Sequence, residues 1–296
     1  MSSHEQMAFY RDNGYLVLPS VLSADEVAEL RRVTDELVAA AKGVKDHTAL
    51  YDLEEAHTPE RPMVRRLKTP HAFHDRYAAT MRHPGILAVL RPLIGEAINF
   101  DNSKLNLKAA GGGAPVDWHQ DWAFYPHTND DLCAVGIMLD DMDLDNGPLM
   151  VVPGSHKGPT YDHHSDGCFS GAINDPAAEA VYARAVPLTG KAGSITIHHV
   201  RAVHGSRPNL SGRDRRLLLL QFRAADAWPL LDAPSWDEWT RHMVSGEATL
   251  APRFVETPVR LPLPPARHQG SIYENQRGSR AAVLGHAPDK AAVAAE

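Results

Sequence analysis

The sequence is poor in cysteine and lacks a long apolar run. Its 296 residues include two cysteines, Cys133 and Cys168, which form neither a CxxC pair nor a disulfide framework, as is usual where thiols stay reduced inside the cell. The polar N-terminus MSSHEQMAFY lacks the apolar core of a signal peptide, and no segment approaches the length of a membrane span. We therefore expect a soluble cytoplasmic protein with no membrane partner.

The chain also lacks an excess of basic residues. It contains 30 Lys and Arg residues against 37 Asp and Glu residues, which gives a net charge of −7. This balance argues against a nucleic-acid partner, because nucleic-acid binding usually needs a basic domain, but it leaves room for a local basic pocket. Hydrophobic residues make up 43% of the chain, which is enough for a sizeable core. Nothing in the composition specifies an oligomeric state.

The first third of the chain carries helical patterns. Ser23 followed by Glu26 is a capping box at the start of a helix, and Val27 and Leu30 begin its apolar face. Two shorter helices are predicted within HDRYAATMRH and PGILAVLRPLIG, and GYLVLPS before the first of these three helices is typical of a short strand. We therefore expect helices that each bury one face.

From about residue 97 the pattern changes to strands. In INFDNSKLNLKA polar residues alternate with leucines, so that Lys104 and Asn106 share one face and Leu105 lies on the other. Turn residues separate four further runs, each predicted as one strand: LCAVGIMLDDM, GPLMVVPGSH, GSITIHHVRAVHGS and RRLLLLQFRAA. Helices followed by many strands indicate an α+β protein with a β-sandwich or barrel as its body.

This pattern also predicts the domain organisation. A β-sandwich or barrel of this size commonly forms one domain, so we expect a single domain over residues 1–296. Its predicted parts are a helical N-terminal part at about 1–96, a β core at about 97–225 and a C-terminal extension at about 226–296.

The segment VDWHQDWAFYP contains two residues suited to bind a metal. In an extended segment every second side chain lies on the same face, so His119 and Asp121 can reach one ion together. His198, His199 and His204 downstream each offer a third ligand. Two histidines and one carboxylate leave three coordination positions open, as in non-haem Fe(II) oxygenases. The pair alone is weak evidence, because the chain has 17 histidines.

An arginine near the last of these histidines strengthens the case for such a site. Arg215 follows His204 by eleven residues and begins an apolar strand, from which it would point back toward the metal. Its guanidinium fork suits the far carboxylate of an organic-acid cosubstrate. Ser206, two residues after His204, could add a hydroxyl donor.

Four segments in order resemble the phytanoyl-CoA dioxygenase family of Fe(II)- and 2-oxoglutarate-dependent oxygenases. They are FYRDNGYLVLPSVLSADEVAELR, KLNLK with DWHQDW, IMLDDMDLDNGPLMVVPGSHK and GSITIHHVRAVHGSRPNLSGRDRR, and they cover most of residues 8–225. Each segment alone is modest evidence, whereas the ordered set is specific. The resemblance implies a double-stranded β-helix core, the jelly-roll or cupin-like fold, with the N-terminal helices packed outside it.

The same resemblance implies the metal ligands and the reaction. It carries His119, Asp121 and His204 over as the ligands of Fe(II), with 2-oxoglutarate as cosubstrate and O₂ as oxidant. Related halogenases lack the carboxylate, so that Asp121 favours hydroxylation or another oxidation. The expected products besides the oxidised substrate are succinate and CO₂.

The resemblance also implies where the cosubstrate binds. It places Arg215 at the salt bridge to 2-oxoglutarate and Ser206 at a second contact. Lys104 and Asn106 lie on the strand before the metal motif, where polar side chains of the family often face the cosubstrate or the substrate.

Residues around the motif are candidates for substrate contact. Trp122 and Tyr125 lie just past the metal residues and could wall a substrate pocket, although packing is the usual role of tryptophan. Arg223 follows the last core strand and could meet an acidic group. Together with Lys104 and Lys108 it suggests an anionic small-molecule substrate, although the same cations also suit the cosubstrate.

Four further segments lead to specific predictions. His163 in YDHHSDG is predicted to lie in a solvated surface loop, and His156 in a turn. Whichever of His198 and His199 points inward is expected to lie next to the metal ligands. The segment GSIYENQ, with Tyr273, is a candidate lid that folds back over the site.

Two alternatives use the same scaffold. One is a metal enzyme without 2-oxoglutarate, such as an isomerase or a hydrolase, which would have no need of Arg215. The other is a non-catalytic binding or sensor protein, against which a complete ligand set with open positions argues. We predict a 2-oxoglutarate-dependent dioxygenase that hydroxylates a small molecule.

Overall fold

The computed structural model describes residues 3–265, 271–277, 279 and 284. The α-helices in this part of the chain are α1 Ser3–Asn13, α2 Ala24–Ala39, α3 Asp75–Thr80, α4 Pro84–Ile94, α5 Glu179–Tyr182, α6 Trp236–Arg241 and α7 Ile272–Gln276. The strands are β1 Tyr15–Leu18, β2 Tyr51–Leu53, β3 Val64–Lys68, β4 Ile98–Lys108, β5 Val116–His119, β6 Leu132–Met138, β7 Leu149–Val151, β8 His164–Ser165, β9 Cys168–Phe169, β10 Val186–Leu188, β11 Ile195–His199, β12 His204–Ser206, β13 Arg215–Ala224 and β14 Met243–Ser245.

Two antiparallel sheets form the body of the protein. The major sheet has the strand order β1-β11-β6-β13-β4-β3-β2, with β14 paired to β4, and the minor sheet has the order β10-β7-β12-β5. Met138 and Leu217 of the major sheet pack against Leu149 and Val151 of the minor sheet. Two antiparallel sheets that share an apolar interior and carry helices outside form the predicted α+β jelly roll.

The N-terminal helices cover the outer face of the major sheet. Ser23 caps α2: its side chain accepts from the Glu26 backbone N–H, and the Glu26 carboxylate accepts from the Ser23 N–H, which confirms the predicted capping box. Val27, Leu30 and Val33 of α2 are buried in one cluster with residues of α4 and of the sheet. The buried face of α2 thereby supplies one wall of the main core.

The long strands β4 and β13 carry the alternation that the sequence predicts. They pair from Arg215 opposite Lys108 to Ala224 opposite Ile98. Leu105 is buried in the core beneath the helices, whereas Lys104 lines a cavity between the two sheets. One strand therefore supports the core with one face and the cavity with the other.

The segment GSITIHHVRAVHGS was predicted as one strand, and this prediction is wrong. β11 ends at His199 in the major sheet, and β12 begins at His204 in the minor sheet. The chain turns a corner between these two strands, and Ala202 and Val203 in this corner are fully buried. The apolar pattern of the sequence therefore continues through the corner and does not show that one strand ends and another begins. The corner has a consequence for the site, because it puts His198 and His204 into different sheets.

The first 96 residues contribute strands as well as helices. β1 confirms the predicted short strand and pairs with β11. Strands β2 and β3 were not predicted, and they extend the major sheet beyond β4, with Arg66 opposite Asn106. A residue of this N-terminal part thereby reaches the face that lines the cavity.

The C-terminal part adds α6, β14 and α7 to this body. Beyond residue 279 the structure describes Leu284 alone, so the end of the predicted C-terminal extension lies outside the described residues. No helix in the described ranges is long and apolar enough to cross a membrane. The division of the chain into three parts of one domain stays a prediction.

Candidate metal centre

The three proposed metal ligands meet where the minor sheet ends. His119 is the last residue of β5 and lies opposite His204, the first residue of β12. Asp121 does not continue the strand, as the sequence interpretation assumed, but opens a single 3₁₀ turn over Asp121–Ala123. The turn brings its carboxylate to the histidines by curling the chain, rather than through the alternation of a strand.

The ligand atoms of these residues converge on one point. Nitrogen or oxygen atoms of His119, Asp121 and His204 all lie within 4.8 Å of one another, and all three residues are buried. Asp121 Oδ1 lies 3.8 Å from His119 Nε2 and 3.9 Å from His204 Nε2. One carboxylate oxygen therefore faces both imidazoles across a gap of the size that a coordinated ion would fill.

Backbone carbonyls orient both imidazoles. His119 Nδ1 lies 2.8 Å from the Asp117 carbonyl oxygen, and His204 Nδ1 lies 2.9 Å from that of Ala202. A carbonyl can only accept, so each Nδ1 carries the hydrogen and each Nε2 presents its lone pair to the cavity. This is the tautomer that metal binding through Nε2 requires.

The carboxylate of Asp121 is held in its ionised form. Burial alone would raise its pKa, but the positive charge of Lys104 and then the interaction with His198 outweigh this effect, and the pKa lies well below its usual value. His198 Nε2 lies 3.6 Å from Asp121 Oδ2, the oxygen turned away from the other imidazoles. His198, rather than His199, is therefore the histidine that points inward next to the ligands.

Gln120 fixes the chain between two of the proposed ligands, a role that the sequence did not indicate. Its side chain donates to the carbonyls of Pro159 and Arg201 at 3.0 and 2.9 Å and accepts from the Tyr161 N–H at 2.9 Å. Its backbone N–H donates to His163 Nε2 at 2.9 Å. His163 is buried, so the prediction that it lies in a solvated loop is wrong. Its Nε2 accepts the backbone N–H of Gln120, which the turn at Asp121 leaves without a backbone partner.

Arg215 closes the other end of the cavity. Its side chain is buried, and Nη2 donates to the Gly147 carbonyl at 2.6 Å, while Nε and Nη1 have no hydrogen-bond partner among the described residues. Burial lowers its pKa to about 10. Ser206 lines the same cavity from β12. Unpaired buried donors on a cation are costly unless a ligand meets them, which fits a carboxylate bound here.

Two further basic residues line the cavity beside Arg215. Lys104 extends into it from β4, and Arg66 extends from β3, where its Nε donates to Asn106 Oδ1 at 3.0 Å. The cavity is small, with about 30 Å³ open to the centres of water-sized molecules. Lys108, by contrast, donates its Nζ to the carbonyls of Ser206 and Arg207 and lies outside this cavity.

Two of the predicted substrate residues are engaged elsewhere. Trp122 is buried in an apolar cluster, and its Nε1 donates to the Pro258 carbonyl at 2.9 Å, which is the packing role expected of tryptophan. Arg223 forms an ion pair with Asp101 at 2.8 Å and stacks over Trp239 at 4.3 Å. Its charge is therefore already neutralised, and the structure gives no support to its predicted contact with an acidic group.

Tyr125 lies between the metal site and a second cleft. Its hydroxyl accepts a hydrogen bond from Gln221 on β13, and its ring lines an open cleft that also contains Arg223. Its predicted contact with substrate stays a prediction that this position allows.

The C-terminal helix α7 folds back over the site, as proposed for a lid. Ile272 lines the cavity, and the Gln276 amide pairs with the backbone of Asp117, accepting at 2.9 Å and donating at 3.3 Å. Glu274 also pairs with Arg65 on β3. Helix α7 is thus anchored both to the strand that ends at His119 and to the edge of the major sheet.

A second group of residues with metal-ligand atoms has a different explanation. His47, Asp52 and Glu274 lie close enough to share an ion. However, His47 Nδ1 accepts from the Leu53 N–H at 3.0 Å, and Arg65 pairs with both carboxylates. The group is an ion-pair network that holds α7, and we assign no metal to it.

Comparison with known proteins identifies relatives along most of the chain. The model of the phytanoyl-CoA dioxygenase family matches residues 10–217. The chain is 42% identical over 279 residues to the probable alpha-ketoglutarate-dependent hypophosphite dioxygenase of Stutzerimonas stutzeri, covering 92% of this chain and 96% of that protein. It is 28% identical to the ectoine dioxygenase of Sphingopyxis alaskensis, covering 76% of each chain.

Solved structures agree on the fold. EctD from S. alaskensis with bound Fe superimposes with a TM-score of 0.66 at 23% identity, over 85% of this chain and 87% of that one. The alpha-ketoglutarate-dependent epimerase SnoN superimposes with a TM-score of 0.61 at 23% identity, over 76% and 82%. The family model covers more than half of the chain, and a relative well above 30% identity covers nearly all of it. This protein belongs to the phytanoyl-CoA dioxygenase family.

Proposed function

We propose that the protein is an Fe(II)- and 2-oxoglutarate-dependent dioxygenase in which His119, Asp121 and His204 hold the iron. The observation that carries this proposal is the convergence of two Nε2 lone pairs and one ionised carboxylate oxygen on a single buried point. Their chemistry suits iron, because imidazole and carboxylate ligands with open positions are those of non-haem Fe(II) oxygenases.

The chain's own residues define how 2-oxoglutarate would lie. Arg215 offers two unpaired donors at the end of the cavity away from the histidines, which suits the distal carboxylate, and Ser206 adds a hydroxyl on the opposite sheet. This feature favours a dioxygenase over a redox-neutral metal enzyme, which has no need of a buried guanidinium with unpaired donors. Lys104 and Asn106 line the space between, where they can contact either cosubstrate or substrate.

The reaction follows from this arrangement. When bound, iron and 2-oxoglutarate activate O₂, so that one oxygen atom enters succinate, with release of CO₂, and the other enters the substrate. His119, Asp121 and His204 would hold the ion and would leave coordination positions open for 2-oxoglutarate and O₂. Helix α7 and the apolar residues Leu217 and Leu219 limit the access of water to the cavity.

The substrate is a small molecule, and we propose hypophosphite as the first compound to test. The relative at 42% identity is named for this anion. Hydroxylation would convert one P–H bond into P–OH and so yield phosphite. An anion also agrees with the basic residues of the cavity. A cytoplasmic location and the absence of nucleic-acid and membrane partners stay predictions from composition.

Two measurements test the proposed function. Anaerobic addition of 2-oxoglutarate to the Fe(II)-loaded protein should give a visible charge-transfer band, and aerobic incubation with hypophosphite should release succinate. His119→Ala should lose both signals, whereas His4→Ala, which alters an exposed histidine of α1, should keep both. A wild-type protein that gives neither band nor succinate with any candidate substrate would favour a redox-neutral enzyme or a binding protein.

A further inference from the structure

Two cations of the cavity lie on neighbouring strands of the major sheet. Arg66 on β3 is opposite Asn106 on β4, and Lys104 lies two residues before Asn106, on the same face. Diagonal neighbours of this kind are about 7–8 Å apart at the backbone, which is within reach of long side chains. Arg66 and Lys104 can therefore contact one small group held between them.

Arg66 is oriented by its neighbours but keeps a free edge. Its Nε donates to Asn106 Oδ1 at 3.0 Å, and its guanidinium lies 4.9 Å from the centre of the Tyr273 ring. These contacts occupy one donor and one face. Its Nη atoms have no acceptor among the described residues, so the donor pair that binds oxyanions in a bidentate manner is left open. The packing of Arg66 against Tyr273 does not explain why its Nη atoms lack an acceptor.

Lys104 is likewise without a partner at bonding distance. The described residues provide neither a hydrogen bond nor an ion pair within 4.0 Å for its Nζ, although it lines the cavity that contains Asp121. A lysine turned into a largely enclosed cavity is unfavourable unless a counter-charge joins it there.

A count of charges shows that the cosubstrate leaves these two cations unmatched. The cavity is lined by three cations, Arg66, Lys104 and Arg215, and by one carboxylate, Asp121. Fe(II), Asp121, Arg215 and the two carboxylates of 2-oxoglutarate sum to zero. The positive charges of Arg66 and Lys104 remain, and they require an anion other than 2-oxoglutarate.

We infer that Arg66 and Lys104 form a subsite for a compact oxyanion, such as a phosphinate, phosphonate or carboxylate group, that belongs to the substrate. The inference rests on the proposed function, because it places this anion beside the iron and the cosubstrate. Arg66 would bind two oxygens through its Nη atoms, and Lys104 would supply the second positive charge. The subsite selects for charge and small size, and it positions the bond to be oxidised near the metal.

Binding experiments on the Fe(II)- and 2-oxoglutarate-loaded protein test this subsite under anaerobic conditions. Hypophosphite, methylphosphonate and acetate are titrated separately, with acetamide as the neutral counterpart of acetate, and the change in the charge-transfer band is followed. We expect at least one oxyanion to bind and acetamide not to bind. Arg66→Met and Lys104→Met should each weaken oxyanion binding by about tenfold to hundredfold, because each removes a charge-assisted contact.

A matched control and a second readout separate the possible outcomes. Lys68→Met removes a cation that lies opposite Lys104 but does not line the cavity, so it should bind the oxyanion like the wild type. The affinity of the Arg66 and Lys104 variants for 2-oxoglutarate should stay within about threefold of the wild type, which also shows that they fold.

Three results would overturn the inference. The wild type could bind no oxyanion, the two variants could bind it as tightly as the wild type, or they could lose 2-oxoglutarate instead, which would make them cosubstrate residues. Because the titration needs binding and no turnover, a protein that binds the oxyanion through Arg66 but forms no succinate would refute the dioxygenase activity alone.

Discussion

Replacing Arg215 with methionine should separate the stability of the ligand-free protein from its affinity for 2-oxoglutarate. Arg215 is 2% exposed, and two donor nitrogens of its guanidinium have no partner among the described residues. Burial lowers its pKa from the ordinary value of arginine to about 10. Arginine is charged at neutral pH in both the folded and unfolded protein, so this lowering is a cost of folding. At about 1.4 kcal/mol per pKa unit, the cost is about 3 kcal/mol below pH 10.

Methionine removes this cost together with one hydrogen bond. The bond from Nη2 to the Gly147 carbonyl measures 2.6 Å, and a hydrogen bond to a charged group contributes about 1.5–3 kcal/mol. The difference between the two terms leaves the free energy of unfolding unchanged or raised by about 1 kcal/mol. The ligand-free Arg215→Met variant should therefore melt at the wild-type temperature or up to about 4 °C above it.

The stabilisation of the protein by 2-oxoglutarate should, in contrast, become smaller in the variant. At 100 times its dissociation constant, 2-oxoglutarate stabilises the wild type by about 2.7 kcal/mol. Loss of two charge-assisted bonds, about 3 kcal/mol in total, weakens its binding by about a hundredfold. The same concentration then stabilises the variant by only about 0.4 kcal/mol.

Thermal unfolding of the Mn(II)-loaded protein with and without 2-oxoglutarate measures both effects. Arg216→Met is the matched control, because Arg216 is the next residue of β13 and pairs with Asp140 through two bonds of 2.9 Å outside the cavity. It should lower the melting temperature and keep the cosubstrate shift. A wild-type shift in Arg215→Met, or a ligand-free variant destabilised by more than about 2 kcal/mol, would refute the reasoning.

Three further predictions concern the metal, pH and the backbone beside Arg215. Asp121→Ala should weaken Fe(II) binding by more than about a hundredfold in equilibrium dialysis, since even outer partners of metal ligands contribute 10–100-fold; retained iron would contradict the ligand assignment. Below about pH 6.5 histidines become protonated in the unfolded chain, whereas the buried histidines of the folded protein stay neutral. The free energy of unfolding should therefore fall from pH 6.5 to pH 4. A constant value in urea titrations would count against this prediction. The histidines with lowered pKa values include His119 and His127, at about 4, and His163 and His199, at about 3. Gly147→Ala should lower both the stability of the protein and its affinity for 2-oxoglutarate, because φ of Gly147 is +71° and a Cβ would lie 2.5 Å from a carbonyl oxygen. The control is Gly167→Ala, where φ is +75° and the space around a Cβ is open. This variant should leave the affinity for 2-oxoglutarate unchanged in the same assay.

Part of the candidate metal site can be recognised in the sequence because the spacing within each pair of residues is short. His119 and Asp121 are two residues apart, and Arg215 follows His204 at short range, so the order of residues already limits how they can meet. The resemblance to a family then selected His204 from three candidates. The geometry differs from the prediction even here, since a 3₁₀ turn rather than a strand presents Asp121. Several backbone paths bring the same two side chains together, and the residue spacing does not distinguish them.

The corner between β11 and β12 shows a limit of periodicity. Alternation reports which side chains are buried, and both sheets of a jelly roll bury one face in the same interior. A chain that passes from one sheet to the other can therefore keep its apolar pattern, as Ala202 and Val203 do. Only the strand pairing shows that the chain has passed from one sheet to the other: His198 lies opposite Ala134 in the major sheet, and His204 lies opposite His119 in the minor sheet.

The basic residues show why charge in a sequence is a poor guide to an anion site. Arg223 and Lys108 were predicted to indicate an anionic ligand, yet Asp101 neutralises the first and two backbone carbonyls engage the second. The sequence does not distinguish Arg66 from other arginines, because β3 was not predicted and its register with β4 is a long-range property. What distinguishes Arg66 is the absence of a partner at its Nη edge within the described residues, combined with burial. An anion site is therefore defined by cations that the fold leaves unpaired, and this property depends on residues that are distant in the sequence.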